Sequence, residues 1–296
     1  MKTNRAVTAG ALAIVAALTG ALALSAPASG ATAPTDEERT SARGDLNVIG
    51  LTDDDRLVYF ETKYPRAVEV IGQVTGLVGD SDVIGIDYRV QNGLLYAVGD
   101  AGGVYTVSTD DASATKVSQL SVALSGASFG VDFNPAADRL RIISDTGQNL
   151  RHDVNTNTTT VDGPLTYPAV PPNGPTPGVN ITAAAYTNND LDATTGTSLF
   201  DIDTMLDQVV LQSPANSGLL AATGKLNVDA GTDAGFDIYS KIKEGRATEV
   251  QGFAVLQVDG QYNGYRINLL NGSAQKTRGF PNRTQVVDVA LPLDQR

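Results

Sequence analysis

Cysteine and tryptophan are absent from this sequence, and histidine occurs once, at His152. Without cysteine there are no disulfides, no thiolate metal sites and no cysteine nucleophile. A lone histidine cannot build a His-rich metal site, and any Ser-His-Asp arrangement would hang on it alone. The lack of tryptophan removes the ring on which sugar-binding proteins often stack their ligands, leaving Tyr64, Tyr167 and Tyr186 as partial substitutes. No Gly-rich phosphate loop opens a helix after a strand, and no G-x-S-x-G elbow is present. Basic stretches are missing too. The chain carries 21 Lys and Arg against 33 Asp and Glu. So acidic a surface repels nucleic acid and anionic membrane, and neither is expected as a partner.

The first residues have the layout of a secretory signal peptide. Lys2 and Arg5 precede an apolar run from Ala6 to Ala26, and small residues follow at Ala26-Pro27-Ala28 and Ala31-Thr32-Ala33. Cleavage near residues 26–33 is expected to release a secreted, extracellular chain with no stable membrane insertion; a retained anchor is the other reading of the run. The leader removes two bases and no acid, so the mature formal charge is 19 bases against 33 acids, or −14. Residues 34–45 are polar and charged, which reads as a disordered linker. Residues 46–293 form the expected folded domain.

From Asp45 onward, short runs rich in Val, Ile, Leu, Tyr and Thr alternate with Gly, Asn, Asp and Pro clusters, an all-β signature. The pattern repeats. Gly85 to Asp100 (GIDYRVQNGLLYAVGD) overlays Gly130 to Asp145 (GVDFNPAADRLRIISD) without a gap. Similar opening runs occur around Gly50, Ala183 and Gly235, so units recur every 35 to 53 residues. With about four strands per unit, that period predicts a single β-propeller of five four-stranded blades, six being the alternative. The first unit shows three strands, and Val286 to Leu291 is a spare strand placed to complete it and close the ring. Tyr167 to Gly178 (YPAVPPNGPTPG) is expected as an irregular loop, and Asn188 to Thr197 as an enlarged hairpin.

The combination GVDFNPAADRLRIISDTGQNLR, YTNND, SLFDIDTMLDQVVLQSPAN and GLLAATGKLNVDA resembles the domain of unknown function 4394 family, over roughly Leu46 to Val289. The resemblance implies an exported bacterial propeller. It implies no reaction, cofactor or catalytic residue. Ser240 to Thr248 (SKIKEGRAT) departs most from the pattern.

Three opening strands carry an aspartate at the same place, Asp87, Asp132 and Asp237. Alternation could aim them at a central channel, where converging carboxylates would raise their pKa values, hold Ca²⁺ or serve glycoside hydrolysis. The structural reading is a strut, each aspartate bonding a neighbouring blade's backbone. Asp100 and Asp145, each before a Gly-containing turn, are expected to cap those turns. Arg141, Asn149 and Arg151, with Arg139, form a basic and amide cluster that could hold a carboxylate or sugar through forked hydrogen bonds, or link blades. Asn188, Asp190 and Asp192 resemble a calcium loop without its helices or its distal Glu. The candidate ligand-binding set is therefore Asp87, Asp132, Asp237, Arg141, Asn149, Arg151 and Tyr186. Two functions follow. The first is a non-catalytic, monomeric scaffold needing no cofactor, which binds an extracellular protein, small molecule or glycan. The alternative is an extracellular hydrolase or lyase using channel carboxylates, with Ca²⁺ as a possible helper.

Overall fold

The computed structural model describes residues 44–295 apart from 193, 282 and 283. The expected leader and nearly all of the expected linker lie outside the described residues. Apolar alternation interrupted by turn-forming residues yields 22 strands among the described residues, with one turn of 3-10 helix at Ala215–Ser217. Asp138, Asn157 and Asp259 hold positive φ angles of 50°, 54° and 54° in hairpin turns, a conformation that Asn and Asp tolerate better than other side chains with a Cβ.

The first sheet draws β1 (Asn47–Thr52), β2 (Arg56–Glu61) and β3 (Glu69–Gln73) from the start of the domain. The second is β4 (Val83–Arg89), β5 (Leu94–Gly99), β6 (Gly103–Val107) and β7 (Ala114–Gln119). The third is β8 (Phe129–Asn134), β9 (Arg139–Ser144), β10 (Asn149–Asp153) and β11 (Thr158–Val161). A short pair, β12 (Thr166–Tyr167) and β13 (Thr176–Pro177), then forms in the proline-rich connection. That segment is thus a small hairpin at its base and not wholly irregular. The fourth sheet is β14 (Ile181–Tyr186), β15 (Leu199–Asp203), β16 (Gln208–Gln212) and β17 (Leu220–Lys225). The fifth is β18 (Ala234–Lys243), β19 (Arg246–Val258), β20 (Gln261–Ile267) and β21 (Ala274–Gly279). Last comes β22 (Val286–Ala290), which pairs antiparallel with β1 and completes the first sheet.

Apart from the β12–β13 pair, each sheet is a four-strand antiparallel blade, and β22, β4, β8, β14 and β18 pack against one another in a closed ring. The fold is a five-bladed β-propeller sealed by its C-terminal strand. In the first blade the innermost position belongs to β22. The run at Asn47, which the repeat count aligns with the other opening strands, is second from the axis.

The core is divided among the five seams between blades. Ile49, Leu51, Ile86 and Leu95 fill the first seam, and Val98, Phe133 and Leu140 fill the second. Ile143, Ala184 and Val210 join the third blade to the fourth, and Ala185, Ile202 and Phe236 join the fourth to the fifth. Phe60, packed edge-on against Phe280 at 5.1 Å between centroids, belongs to the closing seam with Phe253 and Val289. The inner strands approach so closely that a side chain would not fit at their repeated glycine. A Cβ on Gly130 would lie 2.5 Å from the Ala184 backbone nitrogen, and one on Gly235 would lie 2.4 Å from Asp288 Cα.

Gly130→Ala is expected to force the third and fourth blades apart and lower Tm by on the order of 5 °C, read by circular dichroism. Deleting residues 286–296 opens the ring at β1 and is expected to abolish the single cooperative transition in calorimetry.

Candidate functional site

The repeated aspartates sit mid-strand on the innermost strands, and each reaches across to the backbone of the next blade. Asp87 Oδ2 accepts from the Phe133 N–H at 2.7 Å, and Asp132 accepts from the Tyr186 N–H. Asp237 Oδ2 accepts from the Leu291 N–H at 2.5 Å. A fourth member, Asp288 on β22, accepts from the Ile86 N–H at 2.8 Å. Four of the five seams therefore carry the same strut. At the equivalent place the fourth blade has Ala185. Its link to the fifth blade lies further along, where the Asn188 N–H donates to Ser240 Oγ and the Ser240 N–H to Asn189 Oδ1.

The struts also converge. Oxygens of Asp87, Asp132 and Asp237 all lie within 4.8 Å of one another, and the three residues are only 6, 3 and 7% exposed. Burial pushes the Asp87 and Asp132 carboxyls well above the ordinary carboxylate range, and the neighbouring aspartates push in the same direction. Burial lifts Asp237 to about 6, against the backbone N–H bonds of Leu291 and Ile238 that favour its ionised form. Asp288 is also raised by burial, with Asp233 and Asp237 adding repulsion. Such a group cannot hold every carboxylate ionised without a counter-charge, so protons or a hard cation must share it. Its oxygen-only donor set suits Ca²⁺, which takes six to eight such ligands.

The Arg–Asn–Tyr part of the candidate set also comes together, but it faces protein. Arg141 is 1% exposed. Its Nε donates to Tyr186 Oη at 3.2 Å, its Nη1 to Asn149 Oδ1 and Asp162 Oδ2 at 2.7 Å each, and its Nη2 to Asn216 Oδ1 at 2.8 Å. Arg151 clasps Asp162 through Nε and Nη2 at 3.0 Å each. Burial would raise the Asp162 carboxyl, yet hydrogen bonds from Arg151 and Arg141 hold it below the usual range. The fork has thus found its carboxylate within the chain. Asp162 and Asn216 carry no motif signal, because each lies in a connecting segment whose place is set by the seam.

His152 is a fully buried strand residue. Its Nε2 lies 2.7 Å from Ser118 Oγ and its Nδ1 lies 3.0 Å from Thr159 Oγ1, linking the second blade to the third. Burial lowers its pKa. Asp100 and Asp145 do not chiefly cap their own turns. They hold the connection arriving from the preceding blade, through the Ser81 and Asp82 N–H groups and the Ala127 N–H respectively. In the Asn188 segment, each side chain accepts from the N–H two residues on, at Asp190, Asp192 and Thr194. These are successive local turns and not a converging ligand loop. Tyr64 is exposed beneath Lys63, while Tyr167 donates to Asp203 and Tyr186 is buried.

The faces of the disc differ in charge. The face that carries the blade-to-blade connections holds Asp54, Asp55, Asp82, Asp100, Asp229 and Asp259 in its turns. Burial raises the Asp55 carboxyl, and Asp82, Asp100 and Asp54 raise it further. On the opposite face Lys63 and Arg66 lie in a turn and Lys243 and Arg246 flank another, which partly offsets the acids Asp110, Asp111, Asp190, Asp192 and Glu244 of its turns.

Asp237, with a folded pKa of about 6 against roughly 3.9 unfolded, binds more protons in the native state. Its contribution is present below the unfolded value and is lost as pH rises through 6. The Tm at pH 5 is therefore expected to exceed that at pH 8, and Asp237→Asn is expected to shrink the difference. His152 opposes this trend at lower pH. As the sole histidine it gives one imidazole signal in ¹⁵N NMR, expected to titrate below about 6.5.

Among curated proteins no match is found. Solved structures that resemble the chain include a structural genomics protein of unknown function from Bacteroides thetaiotaomicron VPI-5482, at 14% identity and a TM-score of 0.42. The match covers 83% of this chain and 62% of that one. Another is the computationally designed Ika8 protein, at 10% identity and a TM-score of 0.35, with 82% and 65% covered. The chain thus spans less than two thirds of each of these two structures. The family described as "Domain of unknown function (DUF4394)" matches residues 56–290, and the chain belongs to that family.

Proposed function

We propose that this chain is a secreted, non-catalytic propeller whose rigid disc captures a ligand or partner. The observation that carries this reading is the use of the axial carboxylates. Each accepts a backbone N–H from the next blade, and Asp87, Asp132 and Asp237 are at most 7% exposed. A glycosidase needs two carboxyl groups flanking a bound sugar, about 5–5.5 Å apart in retaining enzymes. The axial oxygens lie within 4.8 Å of one another, but the three residues are buried and each already accepts a backbone N–H of the next blade. Arg141, Asn149 and Arg151 are likewise engaged by Asp162 and by one another. Recognition then falls to the exposed turns of the disc. Their charge favours a partner presenting cationic groups on the acidic face, whether protein, small molecule or glycan, and disfavours nucleic acid. The leader with its Ala-rich core and small-residue end supports export, and a monomer meets these needs.

Immobilised protein comprising residues 34–296 is expected to retain a lysine-rich peptide at low salt, to release it as salt rises, and to ignore a glutamate-rich one. The triple variant Asp54→Asn, Asp82→Asn, Asp100→Asn is expected to weaken retention while keeping the wild-type circular dichroism spectrum. Equal retention of both peptides would count against the charge-led reading. Polysaccharide cleavage that disappears in Asp87→Asn would overturn the non-catalytic one. EDTA is expected to leave Tm unchanged; a calcium-dependent rise that is lost in Asp132→Asn would instead assign a cation to the axis.

A further inference from the structure

Asp201, in the second strand of the fourth blade, has no solvent exposure, and neither of its carboxylate oxygens has a hydrogen-bond partner among the described residues. Gln212, 2% exposed, uses its amide nitrogen on the Ala215 carbonyl at 2.6 Å, and its Oε1 is equally unpartnered. Both point the same way. Asp201 is cross-strand partner to Ala184 and to Val210, and Gln212 lies two residues beyond Val210 on the same face of the sheet. Ala184 and Val210 pack against Ile143, so this face looks into the seam with the third blade. Diagonal neighbours of this kind lie about 7–8 Å apart, within reach of one small bridging group. Arg141 comes from the other side of the seam. One of the two hydrogens on its Nη2 is taken by Asn216, and no partner for the other is found among the described residues.

The seam thus combines three oxygen acceptors with one spare donor. We infer that it is an internal solvent-binding site in which ordered water joins the Asp201 carboxylate and Gln212 Oε1 to Arg141. Water is the occupant with the matching chemistry, since it donates two hydrogen bonds and accepts two. Charge discriminates against a metal ion. Arg141 and Arg151 share Asp162, an arrangement that leaves one positive charge over. An ionised Asp201 balances it, whereas an added cation would restore the excess. Burial pushes the Asp201 carboxyl well above the ordinary range and the Arg141 charge pulls it back. Bridging water supplies the donors that a buried carboxylate needs to act as the counter-ion. The site is independent of any partner on the disc surface.

A crystal structure of the wild-type protein at about 1.2 Å or better tests this directly. The expected result is water density roughly 2.6–3.1 Å from an Asp201 oxygen and from Gln212 Oε1. A dry seam, a direct Asp201–Arg141 contact or a metal ion at that position overturns the inference. In solution at pH 7, Asp201→Asn removes the counter-charge with little change of shape and is expected to lower Tm by roughly 3–10 °C. Asp201→Leu is expected to lower it further. A Tm that is unchanged in the Asn variant, or raised in the Leu variant, means that the carboxyl is neutral and dry, and sinks the proposal. If the Leu variant does not fold, the Asn variant and the wild-type crystal still decide.

Discussion

The fold depends on one recurring interaction, a carboxylate on an innermost strand holding a backbone N–H of the neighbouring blade. Inner strands cannot pair edge to edge in a propeller, because each blade's sheet runs outward from the axis. Side chains must therefore fix the distance between blades, and Asp is short enough to do so where the strands nearly touch. In three of the four strut strands the same closeness demands glycine two positions before the aspartate, at Gly85, Gly130 and Gly235, whereas Val286 stands there before Asp288. Glycine and aspartate repeat together because one allows the approach and the other secures it. The convergence of Asp87, Asp132 and Asp237 is then a geometric by-product, since equivalent positions on strands around one axis must meet. Their burial, with the repulsion between them, is the counterpart of the ring's closure, and it is why the axis favours protons at mild acidity.

The seams are not alike. Most of their filling is aliphatic and aromatic, but two seams carry a buried guanidinium. Arg89 is held by Asp138, Asn155 and Tyr96 between the second and third blades, and Arg141 by amide, hydroxyl and carboxylate partners between the third and fourth. Asn149 donates to the carbonyls of Gly163 and Ala215, so this network also fixes the start of the proline-rich connection and the 3-10 turn. Polar groups there specify how two blades meet, since an apolar seam tolerates sliding that directional bonds do not. A residue pattern that suggests an external binding fork can thus be the internal fixture of an irregular joint.

Much of the architecture was legible because the chain repeats itself. The gap-free overlay of Gly85–Asp100 on Gly130–Asp145 placed Asp87 beside Asp132, and the spare strand at the end pointed to ring closure. Asp288 escaped notice because the first blade is assembled from both ends of the domain, so its inner strand has no neighbouring repeat to be aligned with. Its Val-Val-Asp-Val run has the apolar–Asp–apolar signature of the other three. Asp201 and Asp162 were invisible for a different reason. Nothing local marks an aspartate as buried; Asp162 meets Arg141 and Arg151 of the blade it follows, and Asp201 faces Arg141 of the preceding blade. Of the expected cluster, Arg141, Asn149 and Arg151 meet in one network that Tyr186 joins, while Arg139 pairs with Asp153. A sequence cannot distinguish a guanidinium awaiting a ligand from one already held by Asp162.

The join in the first blade also sets an orientation. Gln295 clasps Asn47, accepting from its N–H at 2.7 Å and donating to its carbonyl at 3.1 Å. The start of β1 and the end of β22 therefore both lie on the far side, away from the connections rich in aspartate. A tether at either end, or at both, would hold the disc with its acidic face turned outward and unobstructed.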